Sequence, residues 1–201
     1  MIAHTLESLK PYARKLHDTA TMFWINLSGQ SLAQEEFADF VQAAVRDSGL
    51  PAGSIGFEIT ESAAIGNLEQ AQKFMSRLRD LGCSFALDDF GTGLSSLRYL
   101  KDLKVSMLKI DGSFIRDLLR DPRSDSLVRA VLRVAGELNL ETTAECIETP
   151  ETAHRLSDLG VTYGQGFELG RPGPLDELLA TQFGSGSDTT NSLQVAQTAV
   201  G

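Results

Sequence analysis

Short runs rich in β-branched and aromatic residues alternate along this chain with longer segments whose apolar residues recur every three or four positions. That alternation is a βα repeat, and it narrows the fold more than any other feature. The strand candidates run over about Met22 to Leu27, Ser54 to Ile59, Ser84 to Leu87, Met107 to Ile110, Thr142 to Ile147 and Val161 to Phe167. Helical patterns lie between them at Glu35 to Arg46, Leu68 to Leu81, Asp125 to Leu138 and Glu151 to Leu159. Gly49, Gly82, Asn139 and Gly160 supply the stop residues. A further helical pattern, Leu6 to Leu16, precedes the first strand, and Leu175 to Phe183 follows the last. From Gly184 the sequence turns polar and rich in glycine and serine, with too little apolar surface to pack. The chain therefore divides into a barrel domain over 1–183 and a flexible tail over 184–201.

Parallel strands joined by helices make either an open doubly wound sheet or a closed barrel, and the placement of polar residues separates the two. Here they sit at strand exits. Asn26 closes the first run, Glu58 lies near the end of the second, Asp88 and Asp89 follow the third, and Lys109, Glu145 and Gln165 mark the fourth, fifth and sixth. An open sheet gathers its ligand mainly at one switch point, whereas a barrel brings every strand end to one mouth. The expected fold is thus an α/β chain of the TIM-type (β/α) barrel class. Such barrels have eight strands and about 250 residues. Six strands are found, so the barrel is incomplete and two strands are expected before Met1, leaving the strands of Trp24 and Gln165 unpaired at an open seam.

Glu58, Asp88, Asp89 and Glu145, with the neutral donor Asn26, are hard oxygen ligands suited to Mg²⁺ or Mn²⁺ rather than zinc. An adjacent Asp pair at a strand end suits two ions a few ångströms apart, the clamp used in phosphoryl transfer. Lys109 adds a positive charge that polarises a phosphoryl oxygen or holds water, and a carboxylate not consumed by metal takes the water's proton. A lysine inside Leu-Lys-Ile is costly to bury without a partner, and a carboxylate-lined mouth accounts for it. The net charge of −9 repels a nucleic-acid polymer, and any phosphate ligand needs cations as intermediaries. No apolar run approaches the roughly 18 residues of a membrane helix, and no leader pattern opens the chain, which points to a cytoplasmic protein. Cys83 and Cys146 stand far apart and suggest neither a zinc knuckle nor a disulfide framework. Asp89-Phe90-Gly91 lacks the other kinase motifs, and Gly91-Thr-Gly93 lacks the third glycine of a dinucleotide fingerprint.

Five motifs in order, Phe57-Glu-Ile-Thr-Glu-Ser62, Ala86-Leu-Asp-Asp-Phe-Gly-Thr-Gly93, Leu108-Lys-Ile-Asp111, Ala144-Glu-Cys-Ile-Glu148 and Gln165-Gly-Phe-Glu-Leu-Gly-Arg-Pro172, resemble the EAL-domain family from about Trp24 through Leu179. The resemblance implies a bacterial phosphodiesterase that opens cyclic di-GMP to its linear dinucleotide with two Mg²⁺ or Mn²⁺ ions. By position, Asn26, Glu58 and Asp88 resemble ligands of the first metal, and Asp88, Asp89 and Glu145 ligands of the second. Lys109 is similar to the family's lysine that orients water and phosphate, and Glu145 also matches its general base, so its base and ligand roles are not separable from the sequence. Glu61 and Glu148 resemble supports of the loop after the Asp pair, though each also reads as a surface charge, and Gln165 resembles a contact near the metals. Family members dimerise and are often joined to upstream sensor or cyclase modules, which implies a homodimer here.

The sequence also departs from the pattern. It contains no Glu-Ala-Leu run, whose glutamate is a direct metal ligand in the family and whose strand carries a substrate-gripping arginine. Losing even a group behind a ligand costs about 10- to 100-fold in metal affinity or activity, so an impaired enzyme is expected. Cys146 replaces a residue that is commonly Gly, and Asn26-Leu-Ser-Gly-Gln-Ser-Leu32 departs from the more frequent run, which touches a phosphate or base contact. The competing reading is a non-catalytic receptor for cyclic di-GMP or a protein-interaction module. A metal-carboxylate lyase of the enolase type is disfavoured by the adjacent Asp pair.

Overall fold

The computed structural model describes residues 1–92, 96–183, 194–195 and 198–199. Six parallel strands form its centre: β1 Phe23–Leu27, β2 Ile55–Thr60, β3 Ser84–Phe90, β4 Met107–Ile110, β5 Glu141–Ala144 and β6 Tyr163–Gly164. They pair in chain order, each parallel to the next, and curl into an incomplete TIM-type barrel. The outer strands, expected to lack neighbours, have them. Gln194–Val195 (β7) pairs in parallel with β6, and Thr198–Ala199 (β8) with β1. A free edge presents a row of unpaired N–H and C=O groups that templates such pairing. The other residues of the expected tail, like Gly93 of the Asp-pair loop, lie outside the described residues.

Helices α1 Ile2–Leu9 and α2 Ala13–Thr19 precede the barrel, where the sequence predicts a single helix. Pro11 lacks an amide hydrogen, and the chain tightens there into a 3-10 turn over Lys10–Tyr12. The crossovers then carry α3 Gly29–Leu32, α4 Glu35–Ser48, α5 Glu61–Gly66, α6 Leu68–Arg79, α7 Ser96–Leu100, α8 Gly112–Arg116, α9 Pro122–Glu137, α10 Pro150–Leu159 and α11 Leu175–Phe183. The one-turn helices α3, α5 and α8 start at the strand exits. Their side-chain caps Ser28, Thr60 and Asp111 accept from the amides of Ser31, Ala63 and Ser113.

Alternation along each strand sorts the core into two faces. Outward, Phe23, Ile25, Phe57, Ile59, Phe85 and Leu87 join the helices in the main apolar cluster. Inward, Trp24, Ala86 and Met107 form a separate cluster at the barrel floor, flanked by Met22 and Tyr163. Trp24 is paired in register with Gly56, and a Cβ at Gly56 would stand 2.3 Å from the Trp24 ring, so glycine is what lets the indole cross the floor. Two residues beyond this floor, on the same face of each strand, come Asn26, Glu58, Asp88 and Lys109. The apolar layer is therefore the base on which a charged layer stands.

Gly56→Ala is expected to destabilise the fold by about 1–3 kcal/mol through overpacking against Trp24. The midpoint of urea unfolding measures this, and an unchanged midpoint would mean that the indole moves aside freely.

Candidate metal centre

The charged layer closes on Lys109. Its Nζ lies 2.7 Å from Glu58 Oε2, 2.7 Å from Glu145 Oε1 and 3.0 Å from Asp88 Oδ1. Lys109 and Glu58 are among the most buried charged side chains, with relative exposures of 3% and 2%. Burial alone draws Lys109 down, but Glu58, Glu145 and Asp88 outweigh it, and the ammonium is held above the usual lysine value. For Glu58 and Glu145 burial is the largest influence, and both carboxyls are pushed up despite the opposing pull of Lys109. The carboxylates outnumber the ammonium, so the layer holds more negative charge than one cation satisfies.

Asp88 and Asp89 meet the layer through a break in β3. Adjacent residues of a regular strand face opposite ways, but the register shifts between Leu87 and Phe90, and Asp89 has φ +54°. Carboxylate oxygens of Asp88, Asp89 and Glu145 consequently lie within 4.8 Å of one another, the spacing of ligands around one ion. Among the described residues, two buried oxygens have no hydrogen-bond partner, Asp88 Oδ1 and Gln165 Oε1. Lys109 approaches Asp88 Oδ1 too obliquely to hydrogen-bond it. Hard oxygen donors, excess negative charge and orphaned lone pairs together fit a divalent cation.

The remaining sequence candidates divide. Asn26 is the register partner of Glu58 and so stands next to it on β1. Glu61 is buried at the start of α5, where its Oε2 accepts from the Gly91 amide at 3.2 Å, tying it to the turn after the Asp pair. Gln165 follows β6, and its amide donates to Ala144 O at 2.8 Å, which fixes it level with Glu145. Glu148, by contrast, is exposed. Asp111, quoted within a motif but given no role from the sequence, shares a hydrogen bond with Asp89. Burial, then Asp88 and Asp111, push the Asp89 carboxyl up. Burial also works to raise Asp111, but the hydroxyl and amide of Ser113 outweigh it and hold that carboxyl below the usual value. The sequence signal for Asp111 is its place two residues after Lys109 at the same strand exit.

Two strands are shorter than their sequence patterns. The fifth ends at Ala144 because Cys146 adopts φ +54° and turns the chain. The sixth ends at Gly164, after which Gln165 O accepts from the Ile147 amide and Leu169 folds back onto Gly166. A Cβ at Gly166 would fall 2.2 Å from Ile147 backbone atoms, so glycine allows the loops bearing Glu145 and Gln165 to touch.

Comparison with known proteins adds three findings. A family model described as "EAL domain" matches residues 1–172. The cyclic di-GMP phosphodiesterase PdeB of Shewanella oneidensis is 40% identical over 151 residues, covering 75% of this chain and 18% of the relative. The cyclic di-GMP phosphodiesterase PdeF of Escherichia coli is 36% identical over 179 residues, covering 89% of this chain and 24% of the relative. The chain thus spans about a fifth to a quarter of these relatives' length. Among solved structures, the PaMucR phosphodiesterase in complex with c-di-GMP superposes with a TM-score of 0.81 at 34% identity, covering 89% of this chain and 72% of that one.

Cys146 holds a left-handed backbone that costs a non-glycine residue roughly 1–2 kcal/mol. Its sulfur lies 3.3 Å from Arg116 Nη2, a contact too weak to offset that cost. Cys146→Gly is expected to raise stability by about 1 kcal/mol and Cys146→Val to lower it by more, both read from denaturant midpoints. A less stable glycine variant would refute this account of the turn.

Proposed function

The chain belongs to the EAL-domain family, matched over residues 1–172, and on that premise we propose that it hydrolyses cyclic di-GMP to the linear dinucleotide in a metal-dependent reaction. The observation that carries the reading is the convergence of Asp88, Asp89 and Glu145 to within 4.8 Å beside the buried Lys109 ammonium. In this reading Asp88 and Asp89, joined by Glu145 where it serves as ligand rather than base, would hold one Mg²⁺ or Mn²⁺, and Asn26, Glu58 and Asp88 would hold a second. The bound ions supply Lewis acidity and lower the pKa of water. The chain's own residues do the rest. Water oxygen bonds to phosphorus and the P–O3′ bond breaks, leaving a 5′-phosphate and a 3′-hydroxyl. Acting as base rather than ligand, Glu145 accepts the proton released by the water, and the departing 3′ oxygen takes a proton from solvent. Lys109 holds Glu145 in place and adds positive charge where negative charge develops on the phosphoryl oxygens. Glu61 fixes the turn behind Asp89, and the unpartnered oxygen of Gln165 orients a donor at the mouth.

The proposal extends to a cytoplasmic homodimer working beside sensor or cyclase modules, and the unmatched length of the relatives supports the further modules alone. No helix among the described residues is long and apolar enough to cross a membrane. Residues 1–201 contain no Glu-Ala-Leu run, and turnover by them alone is expected to be slow.

Chromatography of chain incubated with cyclic di-GMP tests the reading. Linear dinucleotide is expected only with Mg²⁺ or Mn²⁺, a chelator should stop its formation, and Glu145→Gln should lower the rate by about 100-fold or more. The reading falls if cyclic di-GMP stays intact with either ion, also after a Glu-Ala-Leu strand is joined to the amino end. Binding without turnover in both chains would select the receptor.

A further inference from the structure

We propose that Lys109 is the built-in counter-ion of the metal-free site, competing with divalent cations for the same carboxylates and thereby setting the affinity of the site for metal. The inference rests on the metal-dependent reading above and deepens it. Lys109 Nζ donates to Glu58 Oε2 at 2.7 Å and forms ion pairs with Glu145 Oε1 at 2.7 Å and Asp88 Oδ1 at 3.0 Å. Two of the three, Asp88 and Glu145, also belong to the cluster spaced to surround an ion. Asp88 and Glu145 thus pair with an internal monovalent cation and belong to the ion-spaced cluster at the same time.

The fold leaves Lys109 little choice of partner. Its side chain rises from β4 directly above the buried Met107, and apolar side chains block retreat toward the floor. A buried lysine without a carboxylate is among the rarest arrangements in proteins, and buried carboxylates without a cation are equally costly. Without metal, therefore, Lys109 holds Glu58, Asp88 and Glu145 together around one ammonium. When a divalent ion takes Asp88 and Glu145, a fixed positive charge a few ångströms away repels it, through surroundings that screen poorly. Lys109 then weakens metal binding while sparing the chain a dependence on metal for folding. A lysine that only shaped the ligands would do the reverse, and its removal would weaken metal binding.

The test compares the wild-type chain with Lys109→Met, which keeps the apolar stem and removes the charge, and Lys109→Arg, which keeps the charge. Mn²⁺ affinity is read by titration calorimetry, and melting temperature is read with and without Mn²⁺. Lys109→Met is expected to melt lower without metal, to bind Mn²⁺ about tenfold tighter or more, and to gain more in melting temperature from Mn²⁺ than wild type. Lys109→Arg is expected to bind no tighter than wild type. If Lys109→Met does not fold alone, it should refold in Mn²⁺ and unfold when a chelator strips the ion, while wild type survives stripping. Equal or weaker Mn²⁺ binding by Lys109→Met, or no rescue by Mn²⁺, overturns the inference and leaves the phosphodiesterase reading standing. Wild-type chain that binds neither Mn²⁺ nor Mg²⁺ overturns both.

Discussion

A buried ammonium held among carboxylates from three other strands ties the barrel together at its mouth. Lys109 comes from β4, Glu58 from β2, Asp88 from β3 and Glu145 from the end of β5, and they meet only if all four strands keep their register. A slip of one residue in any of them would turn its charge to the outer face, among the apolar side chains under the helices. Breaking a buried pair by removing one member costs about 3–5 kcal/mol, because the partner is left charged without compensation. The network thus specifies the arrangement of strands more than it adds net stability.

Beneath it, the inward faces of the same strands are apolar, with Trp24, Ala86 and Met107 filling the floor. Filling the floor excludes water from below, so the charged layer is solvated from the mouth alone. This explains why burial dominates the behaviour of Glu58 and Glu145 even with an ammonium beside them. Thr143, two residues before Glu145, completes the floor, its hydroxyl donating to Met107 Sδ at 3.0 Å. A polar layer over an apolar one, offset by two residues on each strand, is the pleat's period written twice.

The period is also why so much was legible in the sequence. Strands and their polar exits follow from alternation, and Asn26, Glu58 and Lys109 could be assigned to one mouth from their positions alone. Features that break the period were not legible. Asp88 and Asp89 are legible together as an acidic pair at a strand exit, but what brings both to one cluster is not: a left-handed backbone at Asp89 across a register shift. Cys146 and Gly166 end their strands for reasons that lie in the neighbouring loop, through backbone packing that no local pattern encodes. Pro11 was visible as a residue, but helical periodicity continues across it, and the missing amide hydrogen decided the local geometry. Asp111 is identified as a partner of Asp89 only once both strand ends are in place. The short helices at strand exits are too brief to show a repeat and are fixed by their caps.

The chemistry follows from the sign of the charge left over. The chain as a whole is acidic, and its most buried cation is already engaged by Glu58, Asp88 and Glu145. A phosphodiester brought to this mouth without metal meets a surplus of carboxylate and no uncommitted charge on Lys109. In the proposed reading, divalent ions on Asp88, Asp89 and Glu145 would reverse that field for an approaching phosphate. In the proposed reaction the ions are thus required for admission of the substrate as much as for its hydrolysis. On that proposal an acidic protein would recognise an anion through cations it borrows, and the lysine it owns would keep the borrowed site in shape between visits.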